Sequence, residues 1–273
     1  MLTMVEARTP QGTLLGISLE DVTDGIIVAD IEGLDPVKAT IVSSSFARLD
    51  GVQYQSSRRE ARNIKLKLGL EPDYINNTVS DIRQRLYQFF MPKREVNLRF
   101  ITSTGLSVDI SGRVESFESP LFTKEPQVDI SVVCFDPDLV DPTLVEVSGL
   151  TTADTTESLV TYEGSVETGI TFVLNVDRVI SEFTFYHRPP DNTLRSLEFA
   201  TPLEAGDVLT ISTIAGSKGA TLKRAGVDSS VLYGISPQSN WIELMPGDNN
   251  IRVYAEGLGI PYDIEYVNKY GGL

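Results

Sequence analysis

The residues with the most reactive side chains are scarce. Cys134 is the only cysteine, so neither an internal disulfide nor a zinc site built on several thiolates can form. It stands in Val132-Val133-Cys134-Phe135, an apolar run that reads as a buried strand, where a thiol is a small core residue rather than a nucleophile. His187 is also alone, in Tyr186-His187-Arg188-Pro189-Pro190, at the end of a strand entering a turn. A catalytic base there would need an orienting carboxylate and a nucleophile that no nearby motif supplies, so a surface histidine is expected. Acidic pairs such as Asp136 and Asp138, or Glu163 and Glu167, could serve a glycosidase only at the proper separation, which spacing does not fix. Asp248-Asn249-Asn250 lacks the regular ligand spacing of a calcium loop and reads with Pro246-Gly247 as a turn. Gly257-Leu258-Gly259 runs into Ile260-Pro261, which cannot open a dinucleotide site, and Gly216-Ser217-Lys218-Gly219 reads as a hairpin turn. No catalytic residue, metal ligand or cofactor-binding residue is expected, and the chain does not read as an enzyme.

Two other groups point to binding. Arg58, Arg59, Arg62, Lys65 and Lys67 crowd positive charge into a short stretch, with Ile64, Leu66 and Leu68 alternating against Asn63, Lys65 and Lys67. That pattern suits a strand with one face in the core and a basic face toward solvent or a neighbouring subunit. No aromatic residues interleave to stack bases, so nucleic-acid recognition is not expected. Trp241 and Tyr254 fall opposite the aliphatic faces of two strands, 241–245 and 251–255. Outward-facing aromatics there could meet a sugar or a protein partner.

Short strands must position these residues. Candidates are Thr13–Ser18, Gly25–Ile31, Ala39–Phe46, Gln53–Arg58 and Asn63–Leu68, mostly bounded by Gly, Asp or Pro. One helix interrupts them at about Thr78 to Phe90. Val79, Ile82, Leu86 and Phe89 recur at spacings of three and four, Thr78 is a suitable N-cap, and Pro92 enforces a stop. A hairpin then joins Glu95–Thr102 to Leu106–Ser116 through Ser103-Thr104-Gly105, and a strand follows at Gln127–Phe135. Asp136-Pro137-Asp138-Leu139-Val140-Asp141-Pro142 reads as a linker, which divides the chain into residues 1–138 and 139–273. Eight further short strands and no helix make the second part a β-sandwich. The fold class is mainly β: an N-terminal mixed β domain with one α-helix, then the sandwich.

Composition is consistent with this. Of 273 residues, 41% are hydrophobic and 22% charged, a globular balance that argues against wholesale disorder. The net charge of −15 divides into −5 over residues 1–140 (20 acidic, 15 basic) and −10 over residues 141–273 (18 acidic, 8 basic). Neither part offers the positive footprint of a duplex-binding protein. There is no apolar run long enough for a transmembrane helix, and the first residues lack the form of a secretion signal, so no membrane association is expected.

Three passages together resemble the distal tail protein family of long-tailed phages with flexible tails. The first is Leu49-Asp50-Gly51-Val52, then Arg62-Asn63-Ile64-Lys65-Leu66 and the helix. The second is the strand from Val128 to Phe135 with its Asp136-Pro137 exit. The third runs from Ala205-Gly206-Asp207-Val208-Leu209-Thr210-Ile211 through Leu244-Met245-Pro246-Gly247-Asp248-Asn249-Asn250-Ile251 to Tyr262–Leu273. The resemblance implies a ring-forming N-terminal domain and a galectin-like C-terminal β-sandwich. It also implies a hexamer at the distal end of the virion's tail, joining the tail tube protein to tail-tip hub proteins around a DNA channel, without cofactors. Tape-measure and receptor-binding proteins are further possible neighbours. Within such a ring, Asp50 and Gly51 would turn a hairpin arm. Arg58, Arg59, Arg62, Lys65 and Lys67 would then meet an acidic neighbouring subunit. The rival reading is a free carbohydrate-binding or adhesin module using Trp241 and Tyr254.

Overall fold

The computed structural model describes residues 1–47, 50–120, 123–256 and 259–273. Leu49 of the first resemblance passage and the first two residues of Gly257-Leu258-Gly259 lie outside the described residues. Over the described residues the chain is mainly β, with one α-helix, and it forms two compact units: Met1–Pro142 with Tyr270–Leu273, and Thr143–Lys269.

The first unit is built on an antiparallel sheet. Its strand order is Leu14–Ser18, Leu2–Arg8, Glu95–Thr102, Ser107–Glu118, Gln127–Cys134, Arg62–Leu70 and Ile26–Glu32. Alternation decides the faces. In Arg62–Leu70, positions 62, 64, 66, 68 and 70 are buried, while 63 and 65 are exposed. Helix α1, Val79–Phe90, lays Ile82, Leu86, Phe89 and Phe90 into the same core as Leu66, Leu98, Phe100 and Val132. Thr78 caps it reciprocally with Asp81: the Asp81 amide donates to Thr78 Oγ1 at 3.4 Å, and the Thr78 amide donates to Asp81 Oδ2 at 2.9 Å. The Thr78 hydroxyl, donating to Asp81 Oδ2 at 2.7 Å, and then the Thr78 amide hold the Asp81 carboxyl below the usual range. Gly105, at φ +85°, turns the hairpin between Glu95–Thr102 and Ser107–Glu118.

The second unit is a two-sheet sandwich. One sheet orders Val227–Ser230, Gly219–Arg224, Val208–Ser212, Thr171–Asn175 and Pro261–Tyr270, with the strand leading in from Leu139 at its edge. The other orders Ser158–Tyr162, Gly247–Ala255, Phe183–Arg188 and Arg195–Phe199. Aromatic rings fill the space between: Phe172 meets Phe185 edge-on at 5.3 Å, and Phe183 stacks on Phe199 at 5.5 Å.

Several expectations need correction. The Asp136–Pro142 stretch is not wholly irregular, because a strand runs from Leu139 to Leu150 through Asp141 and Pro142. The 246–250 turn is instead the beginning of strand Gly247–Ala255, and only Glu243–Leu244 of the expected 241–245 strand is paired. His187 is not a surface residue. It alternates in phase with Phe183 and Phe185, so strand parity carries it into the core. Its Nε2 lies 2.9 Å from Asn249 Oδ1. The Asn249 amide is fixed by donating to the carbonyls of Met245 and Gly247 while Oδ1 also accepts from the Met245 amide. Oδ1 therefore faces the ring, Nε2 carries the proton, and Nδ1 has no hydrogen-bond partner among the described residues.

This arrangement has a pH consequence. Burial holds the imidazole pKa below its ordinary value; Arg195 on the adjoining strand pushes the same way, while Asn249 and Asp191 oppose. The unfolded chain therefore takes up the proton first as pH falls. The stability contributed by neutral His187 is complete above about pH 6.5 and lost progressively below it, until the folded pKa is reached. Thermal melts between about pH 7.5 and pH 5 should fall more steeply for the parent than for His187→Gln. Parallel slopes would refute this.

Candidate subunit interface

The residues singled out around the basic stretch do not act together. Among the described residues, Ala39–Ser44 and Gln53–Arg59 pair only with each other, forming an antiparallel two-stranded ribbon outside the main sheet. Asp50 and Gly51 lie in its connection, Gly51 at φ +92°, where a side chain would be strained. A bulge between Val42 and Ser43 puts Ile41, Ser57 and Tyr54 on one face, where the Tyr54 hydroxyl and Ser57 Oγ are 2.9 Å apart. Ile41 is 66% exposed and Tyr54 62%, with Val42 exposed on the reverse face and Phe46 and Val52 near the tip. Arg58 is exposed on the ribbon, and Arg59 forms an ion pair with buried Asp138.

Arg62 belongs to the interior, 1% exposed, so it cannot meet a neighbouring subunit. By charge it groups with the lysines, but its strand parity is that of Ile64. Its guanidinium donates to the carbonyls of Pro137 (2.7 Å), Gly33 (2.6 Å), Asp35 (2.8 Å) and Gly271 (2.6 Å). Burial draws its pKa below the usual arginine value, while the group remains a cation. Gly33, at φ +93°, comes so close to the Asn63 carbonyl that an added Cβ would collide with it.

Lys65 and Lys67 do project outward, but their charge is answered within the unit. Lys67 Nζ lies 2.6 Å from Glu32 Oε1 and 3.2 Å from Asp30 Oδ2, and Lys65 Nζ lies 3.3 Å from Glu32 Oε2. The two lysines hold the Glu32 carboxyl below its ordinary range, Lys67 foremost, and Glu32 raises Lys67 in turn. They line a concavity of about 400 Å³ in which Glu32, Glu115, Glu118 and Asp129 outnumber them. The face that looked basic in sequence is net acidic in place. An acidic partner is not what it attracts.

Burial pushes the Cys134 thiol up to about 11, which leaves it protonated and unreactive. No group of three or more His, Cys, Asp or Glu residues among the described residues could hold a metal ion, and no helix among them is long and apolar enough to cross a membrane. Trp241 is half-buried against the sandwich core, with the Lys218 ammonium 5.6 Å from its ring centre. Tyr254 is exposed on the outer face of its sheet, beside Arg252, whose guanidinium sits 4.1 Å over the Tyr186 ring. A ring packed on one side and approached by a cation is a poor sugar platform. Titrating oligosaccharides while following Trp241 fluorescence should give no saturable shift at micromolar sugar. A saturable shift that disappears in Trp241→Ala would revive the carbohydrate-binding reading.

Residues 163–270 match the family described as siphovirus-type tail component, C-terminal domain. No curated protein matches the chain in sequence. Among solved structures, the Dit protein (gp 19.1) of SPP1 superposes with a TM-score of 0.67 at 18% identity, covering 98% of this chain and 99% of that one. It is described as a paradigm of the hub adsorption apparatus in phages infecting Gram-positive hosts. Two structures of the phage P2 baseplate in its activated conformation, with calcium and with strontium, cover 100% and 97% of this chain, and 100% and 98% of theirs. Both are 8% identical, and their TM-scores of 0.48 and 0.44 carry no further weight. Through the family match over residues 163–270 and a fold shared over nearly its whole length with SPP1 Dit, the chain is similar to the distal tail proteins of siphophages.

Proposed function

We propose that the chain is a structural component of a siphophage virion. Six copies would close into a ring at the distal end of the tail tube, bind the tube protein on one side and tail-tip hub proteins on the other, and leave a channel for DNA. The ribbon 39–59 is the observation that carries this reading. A two-stranded sheet standing alone is marginal in water, and this one exposes Ile41, Val42 and Tyr54 instead of burying them. A neighbouring copy that covers it removes both liabilities, and head-to-tail contacts of this kind close into rings when the rotation permits. The family match and the shared fold support the setting. The acidic excess suits a channel from which DNA must slide without sticking. The role is one of assembly, without catalysis.

Mass photometry of the purified chain at several concentrations, alone and with the tube protein added as template, tests the reading. The expected particle is about 180 kDa for six copies of 30.0 kDa. A protein that stays monomeric under both conditions would sink the ring.

A further inference from the structure

A groove in the first unit combines a cluster of cations with an exposed aromatic ring. Its first part, about 440 Å³, is lined by Lys93, Arg94 and Arg113 against the single carboxylate of Glu95. A second part, about 240 Å³, shares Glu95 and Arg113 and ends at Phe135, which is 71% exposed, and Asp136. In a chain of net −15, three cations in one concavity mark a place for anions, and the bare ring beside them marks a place for an apolar side chain.

The cations are held in position. Lys93 adopts a left-handed backbone, φ +72°, rare for a residue with a side chain. The turn is fixed by its amide donating to the Val114 carbonyl at 2.8 Å and by the Val114 amide donating to the Arg94 carbonyl at 2.9 Å. The Arg94 guanidinium donates to the Gln88 carbonyl in the last turn of α1, and Arg113 reaches Glu95 at only 3.4 Å. Lys93 makes no ion pair among the described residues.

We propose that this groove receives the turn Glu20-Asp21-Val22 of a second copy of the chain, a contact that rests on the self-assembly proposed above. That turn offers the matching chemistry: two exposed carboxylates in no ion pair among the described residues, followed by exposed Val22. It too is fixed, since the amides of Glu20 and Asp21 both donate to Ser18 Oγ, at 3.2 and 3.4 Å. Placement makes the contact intermolecular. Strand Leu14–Ser18 begins at the turn that supplies Thr9, Pro10 and Gln11 to the groove wall and ends at the acidic turn. The five-residue strand alone separates the two ends by about 17 Å. Groove and turn therefore sit at opposite ends of one rigid element, as a head-to-tail interface requires.

Charge swapping tests this on the full chain, with mass photometry as the readout. Lys93→Glu/Arg113→Glu sets acid against acid at each contact, and Glu20→Lys/Asp21→Lys sets base against base. Each pair should weaken self-association about tenfold or more. Combining all four substitutions in one chain restores opposite charges and should bring association back to within about threefold of the parent. All four residues are exposed, and thermal melts will establish that each variant folds; if one pair fails to fold, the other pair still tests its half of the contact. Unimpaired assembly of a folded pair, or a four-fold variant no better than the pairs, would overturn this contact while leaving the ring intact. A parent chain that never assembles would overturn both readings.

Discussion

Replacing Arg62 by alanine is expected to lower stability by about 3–5 kcal/mol. Four backbone carbonyls, from Gly33, Asp35, Pro137 and Gly271, turn inward onto this one guanidinium. Each would lose a charged donor, and a buried acceptor left unpaired costs about 1–3 kcal/mol. Water entering the vacated space recovers part of that sum, which keeps the total below the full count. Lysine should rescue only in part, because a single ammonium has three donors on one atom and cannot reach four carbonyls spread around a planar fork. Chemical denaturation followed by far-UV circular dichroism measures the loss. A variant within about 1 kcal/mol of the parent would mean that the guanidinium is dispensable.

The second large effect concerns assembly rather than folding. Ile41→Asp combined with Tyr54→Asp should abolish ring formation, with self-association weakened a hundredfold or more, while the melting temperature barely changes. Both side chains share one face of the ribbon and are already in solvent, so the unassembled chain loses little when they become carboxylates. In a covered interface the same carboxylates would be buried without partners. Lys65→Glu makes the opposite control. Lys65 is answered by Glu32 of its own unit, so its reversal should have a small effect on assembly, contrary to what the sequence pattern alone suggests. Analytical ultracentrifugation of the three proteins separates these outcomes. A ribbon variant that assembles like the parent would remove the ribbon from the interface.

Much of the architecture is legible in sequence where local chemistry and tertiary burial agree. The apolar spacing, Thr78 cap and Pro92 stop of the helix, and the Gly105 hairpin, are each determined within a few residues. Legibility fails where residue type and position disagree. Arg62 and His187 occupy inward positions by strand parity, but their polarity argues for the surface. What holds them inside, the Gly271 carbonyl and the Asn249 amide, lies far off in sequence. Proline and aspartate mask strand Leu139–Leu150 in the same way. The lysine stripe misleads for the complementary reason: Asp30 and Glu32 neutralise it from a strand more than thirty residues earlier in the chain. Exposure of the ribbon has no sequence signal, since Ile41 and Tyr54 look like ordinary strand residues until the absence of a covering layer is seen.

The bond from Arg62 to Gly271 spans 209 residues, and the second unit lies wholly between them. Translation therefore supplies the donor early and its last acceptor late. A ribosome that has made every residue through Lys269 has delivered nearly all of the first unit, yet its buried cation still lacks one of its carbonyls. Leu273, whose amide donates to the Leu34 carbonyl at 3.0 Å, is likewise still to come. The first unit thus completes its interior only after the sandwich has been synthesised. Copies broken off partway through the sandwich therefore carry a first unit that lacks the Gly271 carbonyl and the Leu273 hydrogen bond.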